Sequence, residues 1–306
     1  MKVAILIPCL NEELTIEKVV NDFKVALPDS TVYVYDNNST DNTYKIATEA
    51  NAVVKKESKK GKANVILRMF YEIDADIYVM VDGDDTYPAN EVQNMIHLLQ
   101  EENADMVIGD RISNGDYKNQ NKRRFHNFGN SLIKTLINRF FKTNITDVLS
   151  GYRVFSKRFV KNYVSSIKGF ELETDLTLFC LNYDLKIEQY PIAYKDRPAN
   201  SQSKLNTIDD GFKVISLFFN LYRLYKPLQF FSTIAFVIAF VGLGLGYFPV
   251  KEYIVKPDHY ITKVPTAILS VSLIIMALLL FCCGLILDNL SKYDKRNFKQ
   301  ILLNNK

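Results

Sequence analysis

Three aspartates end the apolar run in the segment IYVMVDGDDTYPAN, at residues 77–90. Asp82, Asp84 and Asp85 repel one another, and the segment contains no Lys or Arg to offset their charge. Clustered carboxylates stay ionised together when a divalent cation lies between them, and oxygen ligands without His or Cys suit Mg²⁺ or Mn²⁺. Asp82 and Asp84 therefore predict a metal site, with Asp85 as a third candidate ligand. The alternative role, capping a turn, needs only one carboxylate.

The chain around this segment alternates between strands and helices, which indicates an α/β protein. Short β-rich runs predict five strands, at residues 2–8, 30–36, 52–57, 76–82 and 104–111. Helical spacing of apolar residues predicts four helices, at residues 11–27, 39–50, 61–73 and 89–102. The second of these helices has Ser39 or Thr40 as its expected cap. This alternation is typical of right-handed βαβ units in a mainly parallel sheet that is buried on both faces.

Ligands of such a sheet gather beyond the carboxyl ends of its strands. The predicted strand ends bring polar, mostly acidic residues to this edge: Pro8, Asn11, Glu12, Asp36, Asn37, Asn38, the three aspartates, Asp110 and Arg111. The sequence has no G-x-G-x-x-G after the first strand and no G-x-x-x-x-G-K-[ST], which disfavours dinucleotide-binding and P-loop proteins. The class that remains binds a nucleoside diphosphate through a metal ion.

Two long runs near the end of the chain, at 228–250 and 264–287, contain no charged residue. Each is long enough to cross a bilayer core, which takes about 20 apolar residues. The alternative is a pair of buried core helices, which two such runs so close together disfavour. We expect two transmembrane helices in a hairpin.

The start of the chain reaches Asn-Glu-Glu too soon for a signal peptide, so we expect a cytoplasmic domain at 1–207. Three Lys residues in the loop between the apolar runs and five Lys or Arg in the tail, 288–306, agree with a cytoplasmic tail. The four cysteines and three histidines show no metal-ligand spacing, and a cytosolic domain keeps its thiols reduced. A net charge of +4 is too small to indicate nucleic acid.

Eight segments carry a resemblance to a known family: IPCLNEE, YDNNSTDNT, KKGKANV, VDGDDTYPAN, GDR, DVLSGYRVF, GFELETDL and DRPANSQSKL, in that order. The set resembles family-2 glycosyltransferases of the GT-A fold, a Rossmann-like fold with a mainly parallel sheet. The likeness is strongest to polyprenyl-phosphate glycosyltransferases, the dolichyl-phosphate mannose synthase group. It covers about residues 1–227, and the hairpin matches members with two C-terminal membrane helices.

The resemblance implies roles on the donor side. The nucleotide pocket would be lined by Pro8, Asn11, Glu12 and Asp36, with Gly61 and Lys62 beside it. Asp82 and Asp84 would bind the metal and the diphosphate. Many members have D-A-D-L-Q where this chain has D-G-D-D-T, so Thr86 replaces a Gln and either Asp84 or Asp85 is the direct metal ligand.

On the acceptor side, the resemblance implies that a lipid phosphate is gripped by Arg111, Arg123 and Asn127. The alternative for the basic segment KRRFHNFGN is a solvated face or a patch touching anionic lipid head groups. The resemblance also implies a loop that folds over the diphosphate and carries Arg197, Ser203 and Lys204. Residues 208–227 then space aromatic and basic residues as an interfacial amphipathic helix does; the alternative is a core-facing helix.

The expected reaction is the inverting transfer of one sugar from a nucleotide diphosphate sugar to polyprenyl phosphate, with Mg²⁺ or Mn²⁺. The phosphate nucleophile is largely ionised near pH 7, so no general base is required. UDP-glucose or UDP-N-acetylglucosamine is favoured over GDP-mannose, and a homo-oligomer is compatible with the sequence. The alternatives are a processive synthase, disfavoured by the absence of Trp, a protein- or glycan-directed transferase, and a non-catalytic adaptor that binds nucleotide sugars.

Overall fold

The structure is a computed structural model that describes residues 1–113, 124–164, 172–195, 219–220, 222–258 and 260–304. Two compact units divide the chain, residues 1–208 and residues 209–306.

The first unit contains a seven-stranded sheet in the order β3-β2-β1-β4-β6-β5-β7. The strands are β1 Val3–Cys9, β2 Thr31–Asp36, β3 Val53–Lys56, β4 Ile77–Met80, β5 Met106–Asp110, β6 Arg153–Ser156 and β7 Ile187–Pro191. Strand β6 runs antiparallel to β4 and β5, and the other neighbouring pairs are parallel. The prediction of a mainly parallel sheet is confirmed, with β6 and β7 added to the five predicted strands.

Helices connect these strands on both sides of the sheet. They are α1 Ile16–Ala26, α2 Thr43–Glu49, α3 Lys62–Glu72, α4 Val92–Glu101, α5 Arg124–Phe141, α6 Lys157–Asn162 and α7 Leu172–Asn182. The predicted cap of α2 is wrong, because this helix begins at Thr43. The Ser39 hydroxyl instead accepts a hydrogen bond from the Asn11 N–H, and Thr40 N–H donates to the Asn11 side chain.

Apolar side chains cover both faces of the sheet. On one face, Val20 and Phe23 of α1 and Met95 of α4 belong to the main buried cluster. On the other, Phe155 of β6 stacks on Phe159 of α6, with ring centroids 4.8 Å apart. Strands β1, β4 and β5 are almost wholly buried, as their apolar sequences predict.

A polar cluster joins β2, β3 and α3 at the edge of the sheet. Glu72 accepts hydrogen bonds from Lys55 Nζ at 2.8 Å, Arg68 Nε at 2.7 Å and Tyr35 Oη at 2.8 Å. These donors, Lys55 first, lower the pKa of Glu72 to about 2. The cluster therefore keeps Glu72 ionised and fixes α3 against the two outer strands.

The second unit contains two long helices, α8 Pro227–Val255 and α9 Val264–Asn304. Both are long and apolar enough to cross a membrane, by length and composition. Small residues let them approach closely, since a Cβ on Gly242 would lie 3.2 Å from side-chain atoms of α9. Ser270 of α9 donates a hydrogen bond to the Gly242 carbonyl at 2.7 Å. Helix α9 continues beyond the predicted apolar run through most of the basic tail.

Candidate active site

The loops after β1 and β2 are joined by hydrogen bonds into one wall of the site. Asn11 has a φ of 54°, and its N–H donates to Ser39 Oγ at 2.9 Å. Thr40 N–H returns a hydrogen bond to Asn11 Oδ1 at 2.8 Å, and Glu12 N–H donates to Thr43 Oγ1 at 2.8 Å. Asn and Asp tolerate this left-handed backbone better than most residues. The wall is therefore held by main-chain N–H groups that donate to short polar side chains, and these bonds fix the two loops against each other.

A second wall joins β2 to the start of α3. Asp36 is buried and accepts hydrogen bonds from Ser39 N–H at 3.2 and 3.3 Å. The neighbouring Asn37 donates to the carbonyls of Glu57 at 3.0 Å and Lys59 at 2.8 Å, and accepts from Gly61 N–H at 2.7 Å. Gly61 has a φ of 116°, a conformation that other residues rarely adopt. Asn37 therefore fixes the turn before α3, and this turn places Lys62, the first residue of α3, at the carboxyl edge of the sheet.

The DGDDT turn after β4 gives its second and third aspartates different surroundings. Asp84 is buried, and its Oδ1 accepts Thr86 Oγ1–H at 2.6 Å and Thr86 N–H at 3.2 Å. Asp85 has a φ of 58°, and its Oδ1 lies 2.6 Å from Lys18 Nζ of α1. The positive φ turns the backbone between the two residues, so Asp85 pairs with α1 while Asp84 stays inside the turn.

Asp82 contacts a cation from α3. Lys62 Nζ lies 2.5 Å from Asp82 Oδ1 and 2.6 Å from Glu173 Oε1, a residue of the first turn of α7. Burial alone would lower the pKa of Lys62, but Asp82 and Glu173 outweigh it and raise this pKa, so Lys62 is a cation. A Cβ added to Gly151 would collide with Asp82 Oδ2, so a glycine there gives the carboxylate its room.

The turn is also anchored to β1 and α1 through Gly83. Thr15 Oγ1–H, next to α1, donates to the Gly83 carbonyl at 2.6 Å inside the protein. A Cβ on Gly83 would lie 2.8 Å from Cys9 Sγ. Burial, followed by the charge of Glu12, raises the pKa of the Cys9 thiol well above its usual value. Cys9 is therefore a neutral packing group behind the site.

A buried ion pair lies next to this turn. Arg111 Nε and Nη2 donate to Asp147 Oδ2 and Oδ1 at 2.7 and 2.9 Å, and Arg111 Nη1 donates to Tyr87 Oη at 3.3 Å. Tyr87 Oη also accepts Gly151 N–H at 2.9 Å. Burial raises the pKa of Tyr87, so its hydroxyl stays protonated. These contacts connect β5, the DGDDT turn and the loop that precedes β6.

Arg153 supports the loop that precedes β6 from within the protein interior. Its side chain is fully buried; Nε donates to the Ser150 carbonyl at 2.9 Å and Nη2 to the Val148 carbonyl at 2.6 Å. Its Nη1 donates to Thr177 Oγ1 of α7 at 2.9 Å. Because β6 is antiparallel, its first residue lies at the carboxyl edge, and Arg153 therefore braces both the loop and α7 beside the site.

The sequence placed Asn37 at this edge without predicting its supporting role, and it did not identify four further residues that the structure brings there: Tyr87, Asp147, Arg153 and Glu173. The last three lie in DVLSGYRVF and GFELETDL, so the motifs were a usable signal. The predicted residues found at the edge are Pro8, Asn11, Glu12, Asp36, Gly61, Lys62, Asp82, Asp84, Asp85 and Arg111.

Other predicted residues are only partly covered by the structure. Arg123, Arg197, Ser203 and Lys204 lie outside the described residues, and so does most of the predicted amphipathic helix. Asn127 belongs to α5, but its side chain is not among those described. The main chain just before Arg197 does reach the site, since Lys195 N–H donates to the Thr86 carbonyl at 3.2 Å.

The donor set fits a hard divalent cation. Within the described part of the chain, no three His, Cys, Asp or Glu side chains are grouped to hold a metal ion. Mg²⁺ and Mn²⁺ commonly take one or two carboxylates and complete their coordination with water and substrate phosphates. Asp82 and Asp84 can supply two, and the Lys62 ammonium shows that a cation is already accommodated against Asp82.

Solved structures share this architecture. A glucosyl-3-phosphoglycerate synthase from Mycobacterium tuberculosis, solved in complex with Mn²⁺, UDP and glucosyl-3-phosphoglycerate, superposes with a TM-score of 0.57. The alignment has 20% sequence identity and covers 72% of this chain and 78% of that one. The fold and its acidic carboxyl edge therefore define a protein of the GT-A class.

Sequence comparison identifies the family. The profile described as "Glycosyl transferase family 2" matches residues 4–164. Glycosyltransferase AglJ of Haloferax volcanii is 31% identical over 303 residues, 98% of this chain and 97% of the relative. A UDP-N-acetylglucosamine–dolichyl-phosphate N-acetylglucosaminyltransferase of Methanococcus voltae is 29% identical over 213 residues, 61% of this chain and 83% of the relative. The chain belongs to glycosyl transferase family 2 and is a hexosyltransferase, as the motifs predict.

Proposed function

We propose that the protein transfers one sugar, with inversion, from a nucleotide diphosphate sugar to polyprenyl phosphate. The observation that carries this proposal is the meeting of Asp82, Asp84 and Lys62 at the ligand edge of a family-2 chain that also has two apolar helices. The relative from Methanococcus voltae, whose name specifies UDP-N-acetylglucosamine and dolichyl phosphate, supports both the donor class and the acceptor class.

On the donor side, UDP-glucose or UDP-N-acetylglucosamine is the favoured substrate. The two walls built by Asn11 and Asp36 would hold the nucleoside, and Asp82 and Asp84 would hold Mg²⁺ or Mn²⁺. The metal would supply charge neutralisation to the diphosphate leaving group. We assign direct ligation to Asp84 rather than Asp85, because Asp84 stays inside the turn whereas Asp85 pairs with Lys18, a residue of α1 that also pairs with Asp22.

Catalysis in this proposal rests on positioning and charge. The acceptor phosphate is already largely ionised near pH 7, so its oxygen attacks the anomeric carbon without a general base. Lys62 would lie beside the leaving diphosphate, with Arg197 and Lys204 covering it. A β-linked product from an α-linked donor follows from direct displacement, and an α-linked product contradicts the mechanism.

On the acceptor side, the lipid phosphate would meet Arg123 and Asn127 beside Arg111. Arg111 is already engaged by Asp147 and Tyr87, so its part is to hold the loop before β6 in place as well as to contribute charge. Helices α8 and α9 would span the membrane, with residues 208–227 at its surface and the catalytic domain in the cytoplasm. A homo-oligomer is compatible with this arrangement.

The test uses membranes containing the full chain, undecaprenyl phosphate and labelled UDP-glucose, UDP-N-acetylglucosamine or GDP-mannose. We expect lipid-linked label from a UDP-sugar that requires both the lipid and a divalent cation. Asp84→Asn should abolish transfer, while Asp85→Asn should retain most of it. Transfer from GDP-mannose alone identifies a mannose synthase, and binding of donors with no lipid-dependent turnover identifies an adaptor and refutes the proposal.

A further inference from the structure

We propose that Glu173 is a positioning residue for the metal–diphosphate site, because it shares the Lys62 ammonium with Asp82. By drawing on that ammonium, Glu173 keeps the Asp82 carboxylate negative enough to accept a divalent cation. This inference rests on the proposed function, since it concerns the same metal site. It assigns to GFELETDL a part that its sequence alone does not reveal.

The contacts that carry the inference lie within one partly buried triad. Lys62 Nζ is 2.5 Å from Asp82 Oδ1 and 2.6 Å from Glu173 Oε1. The side chains of Lys62 and Glu173 are only 19% and 10% exposed, so water screens these charges weakly. Glu173 also lies in the first turn of α7, where the helix dipole favours a carboxylate. The three groups are held by three different parts of the fold: the turn after β4, helix α3 and helix α7.

The charge balance of the triad is what distinguishes it from an ordinary ion pair. Lys62 with Asp82 alone would be neutral, and a divalent cation would have to displace an ammonium that is paired with Asp82 only. Glu173 adds a second carboxylate, so the triad carries one net negative charge before any ligand arrives. Burying that extra charge is unfavourable for folding, and apolar residues in its place would stabilise a buried site as well or better. The arrangement is therefore suited to receiving a cation.

The experiment measures Mn²⁺ binding to the detergent-solubilised full chain by electron paramagnetic resonance of free Mn²⁺, with and without UDP. Neither sugar nor lipid acceptor is added. Glu173→Gln should weaken Mn²⁺ binding about tenfold, as the loss of one partly screened charge near a divalent ion requires. Lys62→Met should tighten binding of Mn²⁺ in the absence of UDP, because it removes the competing ammonium. Glu173→Asp, which keeps the charge, should stay within about threefold of wild type.

Asp105 provides a matched control at the opposite edge of the sheet. It is buried and forms two 2.7 Å hydrogen bonds with Arg158, so Asp105→Asn should lower thermal stability without changing Mn²⁺ affinity. Wild-type affinity in Glu173→Gln, or weaker binding in Lys62→Met without UDP, overturns the inference. If wild-type protein binds Mn²⁺ with UDP and the variants behave as expected, but no sugar reaches polyprenyl phosphate, only the proposed acceptor is refuted.

Discussion

Asp147→Asn should destabilise the catalytic domain strongly, because it removes one charge from a buried ion pair. The Asp147 side chain is 0% exposed and that of Arg111 is 10% exposed, so the remaining guanidinium would stay buried without the Asp147 carboxylate. Breaking one partner of a buried pair costs about 3–5 kcal/mol, whereas a whole domain is stable by about 5–15 kcal/mol. The carboxamide can still accept one hydrogen bond, which places the expected loss near 3 kcal/mol.

The free energy of unfolding can be followed at two buried thiols. Cys9 and Cys180 are buried, while Cys282 and Cys283 are exposed on α9. Urea unfolding of the detergent-solubilised chain, read as maleimide labelling of the peptides that contain Cys9 and Cys180, therefore reports on the catalytic domain alone.

A double variant distinguishes the cost of an unpaired buried charge from the cost of general damage to the fold. Arg111→Met with Asp147→Leu replaces the pair by apolar side chains, which is often neutral or stabilising at a buried site. We expect this double variant to be more stable than Asp147→Asn. A loss below about 0.5 kcal/mol in Asp147→Asn, or a double variant less stable than the single one, would refute the assignment of this pair as a buried clamp.

Three further predictions follow from close contacts and one lowered pKa. Gly83→Ala should cost about 1–3 kcal/mol, because its Cβ would lie 2.8 Å from Cys9 Sγ, and added Cys9→Ala should restore part of this loss in urea unfolding. Gly242→Leu should lower the temperature at which the hairpin unfolds in detergent, measured by helical circular dichroism. Gly244→Leu is the control, because a Cβ at Gly244 has no described atom within 4 Å. Hydrogen bonds lower the pKa of Glu72 from 4.5 to about 2, so its contribution to stability is present above pH 4.5 and disappears as the pH falls towards 2. Glu72→Gln should show a smaller loss of stability than wild type over that interval, and an unchanged pH dependence would contradict the assigned interactions.

The part of the fold that the sequence predicts is the part built from local patterns. Strands β1, β4 and β5 are apolar runs bounded by turn residues, and the ligand edge follows from the parallel arrangement of the predicted strands. Strand β6 is only four residues long and lies between β4 and β5, although it follows both of them in the sequence. No local pattern of apolar residues therefore predicts it. Helix α2 also begins later than predicted, because Ser39 hydrogen-bonds to the loop after β1 instead of capping the helix.

The supporting residues of the site were hidden for a related reason. Glu173 meets Lys62 across 111 positions, and Asp147 meets Arg111 across 36. Residue type identified Arg111 as a cation at the ligand edge, but the Asp147 carboxylate reaches it from the loop that precedes the antiparallel strand β6. Whether a charged side chain binds a ligand or forms a structural ion pair depends on partners that are distant in the sequence. The spacing of residues within a motif does not identify those partners.

The three aspartates after β4 have separate partners that do not require a metal ion. Asp82 pairs with Lys62, Asp85 pairs with Lys18, and the Asp84 carboxylate accepts two hydrogen bonds from the residue two positions further on. Their mutual repulsion is therefore reduced within the folded chain by two ammonium groups, although Lys62 also pairs with Glu173 and Lys18 also pairs with Asp22. The turn is therefore already formed before a cation binds. A divalent ion would be attracted by the charge of this preformed turn and would not be needed to fold it. At Asp82 such binding would compete with an existing contact, because the incoming cation and the Lys62 ammonium would share one carboxylate.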